Sequence, residues 1–172
     1  GKRIKQGLIY RCASIDNVTD DGRQLLTGLL GIKTDLDLRT EAEVAEEYRT
    51  RSPISADVNY VRVPIAAYRS FLYGGDGSGK ALKLFADLDN YPIVFHCAAG
   101  ADRTGTLAFM LESFVGVDER NIFIDYELTP NRPRSYTVGD DGFEQLVTGF
   151  RAAQGNTSHD KAVTIMRRVG LT

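Results

Sequence analysis

A cysteine, an arginine and a threonine stand at spacings that suit the transfer of a phosphoryl group. The stretch reads His96-Cys97-Ala98-Ala99-Gly100-Ala101-Asp102-Arg103-Thr104-Gly105, with five residues between Cys97 and Arg103. A thiolate at Cys97 would attack phosphorus in line with the leaving oxygen, while the planar fork of Arg103 holds two equatorial oxygens. The small residues 98–101 let a ligand approach the backbone closely. These residue types therefore predict a cysteine nucleophile inside an anion-binding loop.

The flanking sequence predicts a strand before this loop and a helix after it. Residues 91–95 form a short apolar run with β-branched and aromatic side chains, which is typical of a buried strand. The apolar residues of 107–111 have helical spacing. Such a turn directs backbone N–H groups and the positive end of a helix dipole at its centre. The same field stabilises a thiolate beside a histidine and an arginine. The alternative, a buried Cys97 with Arg103 on a surface helix, leaves the coincidence of the other loop residues unexplained.

The loop resembles that of the cysteine-dependent tyrosine and dual-specificity phosphatases. Its Gly-x-Asp-Arg-Thr-Gly form is similar to the bacterial PtpB-like branch. Three further segments resemble that branch: residues 8–11, residues 30–39 with Glu43 following, and residues 125–129. The resemblance covers most of the chain. It implies a metal-independent hydrolase of phosphate monoesters that forms a phosphocysteine.

Each loop residue has an expected role in that chemistry. The N–H groups of residues 98–103 and the Arg103 side chain would stabilise the charge of the phosphoryl oxygens. Thr104 would donate its hydroxyl to the sulfur, which makes the thiolate a better leaving group in the second step. The alternative for Thr104 is a bond from the hydroxyl to the backbone. His96 is expected to order the loop by hydrogen bonding rather than to react.

The leaving alcohol needs a proton, and three aspartates are candidates for the acid. In the wider superfamily the acid follows a separate strand, but here that place, residues 63–68, holds none. Asp102 ranks first because it matches the aspartate that the PtpB-like resemblance implies; its alternative is to orient Arg103 or cap the helix. Asp76 ranks second. Asp37 ranks third, because a salt bridge or loop buttress explains it better.

Two other segments invite a functional interpretation. Residues 74–81 nearly match a nucleotide-binding loop, but Ala81 stands where a serine or threonine must ligate Mg²⁺. We expect this glycine-rich stretch to form a mobile loop at the rim of the active site instead. Residues 131–136 offer two cations and an aromatic ring, and a plain solvated loop explains them equally well.

The order of the predicted elements gives the fold class. Strands are predicted at 7–12, 32–38, 58–65 and 91–95, and helices at 81–88, 142–153 and 158–169. Thr19 would cap a helix that stops at Gly31, Thr40 and Glu43 would form a capping box for the next, and Asp118 would cap one running to Leu128. Such alternation predicts an α/β fold: a central, mostly parallel sheet of four to five strands flanked by helices, with the phosphate-binding loop between a strand and a helix.

Composition bounds the remaining possibilities. The 172 residues suit a single domain, residues 1–172, and the formal net charge of −2 gives no basic field for nucleic acid or an acidic membrane. No apolar run approaches the roughly 20 residues of a membrane span. Two histidines and one functional cysteine predict no metal site and no cofactor.

The two cysteines, Cys12 and Cys97, argue against a disulfide framework. A thiolate nucleophile favours a reducing, cytoplasmic location, although a chain that starts at Gly1 leaves a secreted or periplasmic one open. Cys12 is interpreted as a small core residue rather than a resolving thiol that pairs with Cys97.

The loop's neutrality favours a singly phosphorylated substrate. PtpB-like enzymes commonly carry a lysine where this chain has Ala101, and the neighbouring residues are neutral. Five arginines could compensate: Arg39, Arg62, Arg69, Arg132 and Arg134. Phosphotyrosine, with dual specificity for phosphoserine or phosphothreonine, is favoured over phosphoinositides or inositol phosphates. A non-catalytic phospho-ligand binding module and a rhodanese-like sulfurtransferase are the alternatives outside this class, and the oligomeric state is left open.

Overall fold

Four parallel strands form a sheet whose centre leads into the cysteine loop. A computed structural model describes residues 5–66, 69–75, 77–128 and 141–171, with the backbone alone at Arg69 and Asp141. The strands are β1 (Ile9–Cys12), β2 (Thr34–Asp37), β3 (Asn59–Arg62) and β4 (Ile93–His96). Their order across the sheet is β1-β4-β2-β3. The prediction of a mostly parallel sheet of four to five strands is therefore confirmed.

Strand β4 is buried on both faces, as its apolar sequence predicts. Ile93 and Phe95 pack into the larger core cluster, whereas Val94 packs into the smaller one. His96, the last residue of β4, pairs with Cys12 of β1 on one side and with Asp37 of β2 on the other. Three strands therefore end level with one another, directly below the cysteine loop.

Seven helices surround the sheet in the described part of the chain. They are α1 (Asp20–Gln24), α2 (Arg69–Tyr73), α3 (Ser78–Leu84), α4 (Asp102–Val115), α5 (Glu119–Glu127), α6 (Asp141–Arg151) and α7 (Ser158–Arg168). Thr19 and Asp118 cap α1 and α5 through their side chains, as predicted. The first helix continues as a wide turn, a π-helix at Leu25–Leu29, and the chain then turns at Gly31, where φ is +60°.

Helix α4 lies in the middle of the molecule, packed against α5 and α7. Most of its residues from Thr104 to Met110 are fully buried. Phe109 lies at the centre of an aromatic group, with its ring 5.0 Å from that of Phe150 and 6.4 Å from that of Phe143. A helix buried in this way keeps a fixed position, and it therefore gives the cysteine loop a rigid support.

The prediction of a helix after Thr40 is wrong. Thr40 and Glu43 do form the predicted capping box, but the element is a single 3-10 turn at Glu41–Glu43. Val44 then becomes extended, with ψ at 130°, and its side chain is buried. Burial of this apolar residue holds the chain in its extended course and ends the helix after one turn.

The mobile loop predicted over residues 74–81 is also wrong from Ser78 onwards, because residues 78–84 form helix α3. Residues 69–73 form helix α2, which packs on α6 and α7 and buries Phe71 and Leu72 in the core. The glycine-rich stretch leads into α3, and a Cβ at Gly79 would lie 2.2 Å from the carbonyl oxygen of Val169. That glycine serves close packing rather than phosphate binding. Asp76 lies outside the described residues.

None of the described helices combines the length and the apolar composition that a membrane span requires.

Candidate active site

The cysteine loop turns tightly because two glycines allow close approaches. Cys97 follows β4 and is only 2% exposed, and helix α4 begins at Asp102. Gly100 has a φ of +70°, and a Cβ there would lie 2.5 Å from the carbonyl oxygen of Cys12. At Gly105 a Cβ would lie 2.9 Å from the ring of Tyr126. Side chains at either position would push the loop or its helix away, so both glycines are required by the packing.

The carbonyl groups of the loop are held outwards by neighbouring elements. The Ala98 carbonyl accepts a hydrogen bond from the backbone N–H of Ser14 at 3.1 Å. The Gly100 carbonyl accepts one from the guanidinium of Arg11 at 3.4 Å. Because a trans peptide unit points its N–H opposite to its C=O, the N–H groups that follow these carbonyls face into the loop. With the N-terminus of α4, they form a site for an anion.

The guanidinium of Arg103 is fixed by a bidentate ion pair with Glu43. Its Nη1 lies 2.8 Å from Oε2 of Glu43, and its Nη2 lies 2.6 Å from Oε1. A longer bond of 3.4 Å joins Nη1 to the carbonyl oxygen of Leu38. These bonds among the described residues use three of the five N–H donors of the group. The bonds to Glu43 raise the pKa of Arg103, and a negative charge on Cys97 raises it further.

Glu43 therefore has two functions, of which sequence reasoning found one. Its carboxylate accepts from the backbone N–H and the hydroxyl of Thr40, at 2.9 and 2.8 Å, as well as from Arg103. The bond to Arg103 and those from Thr40 lower the pKa of Glu43 to about 2, so the pair persists well into acid. The signal in the sequence was the place of Glu43 in the flanking segment that follows residues 30–39.

His96 is completely buried between the sheet and the loop. Its Nδ1 lies 3.3 Å from the carbonyl oxygen of Cys97, and its Nε2 lies 3.1 Å from Oδ1 of Asp35. Burial opposes a charge on the ring, but the bond with Asp35 and the charges of Asp35 and Asp37 outweigh it and raise the pKa of His96. A protonated ring would donate to the Cys97 carbonyl and bring a positive charge next to the thiolate.

Asp37 is fully buried and surrounded by donors. It accepts from the backbone N–H of Arg39 at 2.9 Å, from the Arg39 guanidinium, and from the Tyr60 hydroxyl at 3.0 Å. A carboxylate in this position has no exposed surface from which to protonate a leaving group. Its geometry is that of a salt bridge and buttress.

Arg39 belongs to the same buried group. Besides Asp37, it holds Asp16 through two bonds of 2.7 and 2.8 Å and the Ser14 hydroxyl at 3.0 Å. Its side chain is 2% exposed, and its guanidinium is engaged by these groups within the protein. Arg62 faces Glu41 at 3.7 Å. The side chains of the other arginines considered for the pocket lie outside the described residues; these are Arg69, Arg132 and Arg134. The whole segment 131–136 lies outside them too.

Thr104 keeps a free hydroxyl beneath the loop. Its side chain is completely buried, and its Oγ1 has no hydrogen-bond partner in the described structure. The backbone bond considered as its alternative is therefore not formed. Asp102, in the first turn of α4, is partly exposed and lies next to Arg103 in the chain. Of the two described candidates for the acid, Asp37 and Asp102, only Asp102 has solvent-exposed surface.

Two distant segments of the sequence meet behind the loop. Arg11 of β1 forms an ion pair with Asp125 of α5, while its guanidinium also contacts the Gly100 carbonyl. Residues 8–11 and 125–128 thus brace the loop from one side; Thr129 lies outside the described residues. The sequence marked both segments as part of the family resemblance, but it did not predict their contact, because 114 residues separate the partners.

Cys12 lies beside the loop in a half-buried position and packs on the smaller core cluster. Burial, together with the negative charges of Asp35 and Cys97, raises the pKa of Cys12 to about 12. The thiol is therefore protonated at neutral pH, which suits a packing residue and disfavours thiol exchange. In the described residues, no group of three or more histidine, cysteine or acidic side chains is placed to hold a metal ion.

Comparisons of the sequence agree with this geometry. Residues 1–166 match the model of a family described as the tyrosine phosphatase family. A protein named tyrosine-protein phosphatase, from Nostoc commune, is 26% identical over 184 residues. The match covers 92% of this chain and 62% of that protein, so the chain spans less than two thirds of its relative.

Solved structures with the same fold include three proteins of low sequence identity. TpbA of P. aeruginosa is 18% identical, with a TM-score of 0.60 over 93% of this chain and 87% of its own. The catalytic core of SIW14, a PP-IP phosphatase from S. cerevisiae, is 19% identical, with a TM-score of 0.59 over 86% and 90%. DUSP15 is 18% identical, with a TM-score of 0.54 over 98% and 96%. At such identities the likeness establishes the fold alone.

Proposed function

The chain belongs to the tyrosine phosphatase family, and from this premise we propose that it hydrolyses phosphate monoesters, phosphotyrosine first, through a phosphocysteine at Cys97. One observation carries the proposal: Cys97, the Arg103 fork held by Glu43 and the unbonded Thr104 hydroxyl meet at one helix N-terminus. The family match over residues 1–166 supports a single catalytic domain. The need for a reduced thiol supports a cytoplasmic location.

In the first step, the Cys97 thiolate attacks phosphorus and the bond between phosphorus and the leaving oxygen breaks. The inward N–H groups and Arg103 donate hydrogen bonds to the equatorial oxygens and stabilise their negative charge. These donors are already in place before the reaction. Asp102 donates a proton to the leaving oxygen, so the alcohol departs neutral. The guanidinium of Arg103 and the N-terminal end of α4 stabilise negative charge beside the sulfur during the attack.

In the second step, water attacks the phosphocysteine and the bond between sulfur and phosphorus breaks. Asp102, now a carboxylate, takes the proton from water. Thr104 donates its hydroxyl to the sulfur as negative charge returns there, and among the described residues it has no other hydrogen-bond partner to give up. Inorganic phosphate leaves and the thiolate is restored.

The charges near the loop favour a substrate with one phosphate. Arg103 lies beside Cys97, whereas Arg39 is already bonded to the buried Asp37 and the partly exposed Asp16. The loop residues 98–101 carry no charge. Phosphotyrosine, with phosphoserine and phosphothreonine as slower substrates, suits this electrostatics. The likeness to SIW14 makes an inositol phosphate the second candidate substrate.

Hydrolysis of para-nitrophenyl phosphate, with a chelator present, tests the proposal. We expect turnover by the wild type and none by Cys97→Ser. Equal rates for the two proteins would overturn the cysteine mechanism, and no turnover by either would favour a phospho-ligand binding module. A phosphotyrosyl peptide compared with inositol hexakisphosphate then separates the two substrate classes, with the peptide expected to give the higher kcat/KM.

A further inference from the structure

A cavity of about 580 Å³ lies apart from the cysteine loop, between β1 and the helices α3, α4, α5 and α7. Its walls are mostly apolar and include Leu82, Phe85, Phe95, Leu111 and Met166. Neither Cys97 nor Arg103 lines it. A volume of this size lies within the range of roughly 300–1,000 Å³ that is usual for small-molecule sites.

One end of the cavity is polar and carries a surplus of carboxyl groups. Arg11, Glu112 and Asp125 lie there, and Arg11 is paired with Asp125. Oε2 of Glu112 is buried and has no hydrogen-bond partner in the described structure. A buried acceptor without a donor costs about 1–3 kcal/mol, which a ligand that brings a donor would recover.

The other polar groups on the cavity wall are already engaged or exposed. The Tyr91 hydroxyl donates to the carbonyl oxygen of Phe85 at 2.7 Å. Arg167, on α7, is exposed to solvent. Glu112 is therefore the lining group to which a ligand would donate a hydrogen bond.

Glu112 is set to change its charge on binding. Burial and the neighbouring carboxylate of Asp125 raise the pKa of Glu112 to about 8, although Arg11 acts in the opposite direction. In the empty cavity the carboxyl group is thus mainly protonated at neutral pH. A cation placed against it would favour the ionised form and release the proton.

We propose that this cavity binds a small amphipathic amine, with its apolar body against the walls and its cationic end on Glu112. An apolar body fits the lining residues, and a cation fits an end that holds two carboxyl groups and one paired guanidinium. An anionic ligand of the same shape would meet repulsion there. Binding in this cavity is measured without turnover, so its test does not depend on the phosphatase reaction.

Calorimetric titration with octylamine, octanol and octanoate tests the site, because the three probes differ only in the charge of one end. We expect octylamine to bind more tightly than octanol, and octanoate to bind most weakly. Octylamine should bind at least about tenfold more tightly at about pH 8.5 than at about pH 6.5, because Glu112 ionises over that interval. Buffers of different ionisation enthalpy should show about one proton released at neutral pH.

The variant Glu112→Gln should abolish both the preference for octylamine over octanol and the pH dependence. Glu119→Gln is the matched control, since Glu119 lies on α5 and is outside the cavity lining; it should change neither. Binding of all three probes with equal affinity, or no binding of octylamine, would overturn the proposal. The wild-type pH series decides the question even if Glu112→Gln fails to fold.

Discussion

The buried cluster under the sheet edge and the cysteine loop above it use the same kinds of side chain in opposite ways. We define the buried cluster as Asp37 and Arg39, together with Asp16, whose side chain is partly exposed. In it, the guanidinium of Arg39 donates its hydrogen bonds to Asp16, Asp37 and Ser14, all within the protein. In the loop, Arg103 is held from one side by Glu43 and still faces Cys97.

The difference lies in how much hydrogen-bonding capacity is left over. Buried polar groups whose partners are all supplied by the protein hold the fold in place, and removal of one partner leaves another buried and uncompensated. Groups such as the Thr104 hydroxyl, which has no hydrogen-bond partner among the residues that the structure describes, are available to a ligand or to a reacting atom. The two cysteines follow the same division: Cys12 is a protonated packing residue, and Cys97 faces the anion site.

The sharpest test of this comparison is the same substitution in both regions. Arg103→Lys should lower kcat by about 10³-fold or more with little change in the free energy of unfolding, because its planar fork meets the transition state. Arg39→Lys should instead cost on the order of 3 kcal/mol in stability, because it breaks a buried ion-pair network. Urea denaturation and para-nitrophenyl phosphate kinetics on both variants give the two readouts. A loss of activity without a loss of stability in Arg39→Lys would contradict the division.

The acid assignment gives the next largest effect. Asp102→Asn should lower kcat/KM about 10²-fold or more on an alkyl phosphate, whose poor leaving group demands a proton. On an aryl phosphate the loss should be about tenfold or less, since phenolate leaves more easily. Asp76→Asn, measured on the same two esters, is the comparison. If Asp76→Asn shows the dependence on leaving group and Asp102→Asn does not, the assignments are reversed.

Thr104 should affect one step only. In Thr104→Val the second step should slow about tenfold, so that an aryl phosphate gives a burst of phenol before the steady state. The fold should gain about 1 kcal/mol, because an unbonded buried hydroxyl is replaced by a methyl group. Thr104→Ser keeps the donor and should show neither change. Stopped-flow release of para-nitrophenol measures the burst, and its absence in Thr104→Val would argue for a purely structural hydroxyl.

The smallest expected effect concerns the pH dependence of the Glu43 pair. Because its folded pKa of about 2 lies below the ordinary value of 4.5, Glu43 adds stability that is fully present above pH 4.5 and is lost as the pH falls towards 2. Partial exposure of the carboxylate keeps this contribution small. The difference in unfolding free energy between the wild type and Glu43→Gln should therefore shrink across that window. A difference that stays constant from pH 7 to pH 3 would contradict the depressed pKa.

The sequence was most informative where the chemistry is contiguous. The cysteine loop, its strand and its helix follow from ten consecutive residues, and Thr19 and Asp118 predicted helix starts because capping is local. The contact between Arg103 and Glu43 joins residues 60 positions apart, and no local pattern encodes it. It depends on the extended course that buried Val44 imposes on the chain.

Helix α2 was missed for a related reason. Its five residues are too few to show a helical period, and the aromatic and basic composition next to a glycine-rich stretch is typical of a surface loop. Packing against α6 and α7 buries Phe71 and makes the segment part of the core. The polar end of the 580 Å³ cavity could not be predicted from the sequence either, since Arg11, Glu112 and Asp125 come from three separate elements.

The central claim is that phosphate passes through Cys97, and trapping of the intermediate tests it most directly. Thr104→Val, whose second step is slowed, would be mixed with para-nitrophenyl phosphate, quenched in acid and digested for mass spectrometry. We expect a peptide that contains Cys97 and carries the mass of one phosphoryl group, absent when Cys97 is replaced by serine. Turnover by Thr104→Val with no modified peptide, or with the phosphoryl group on another residue, would contradict it.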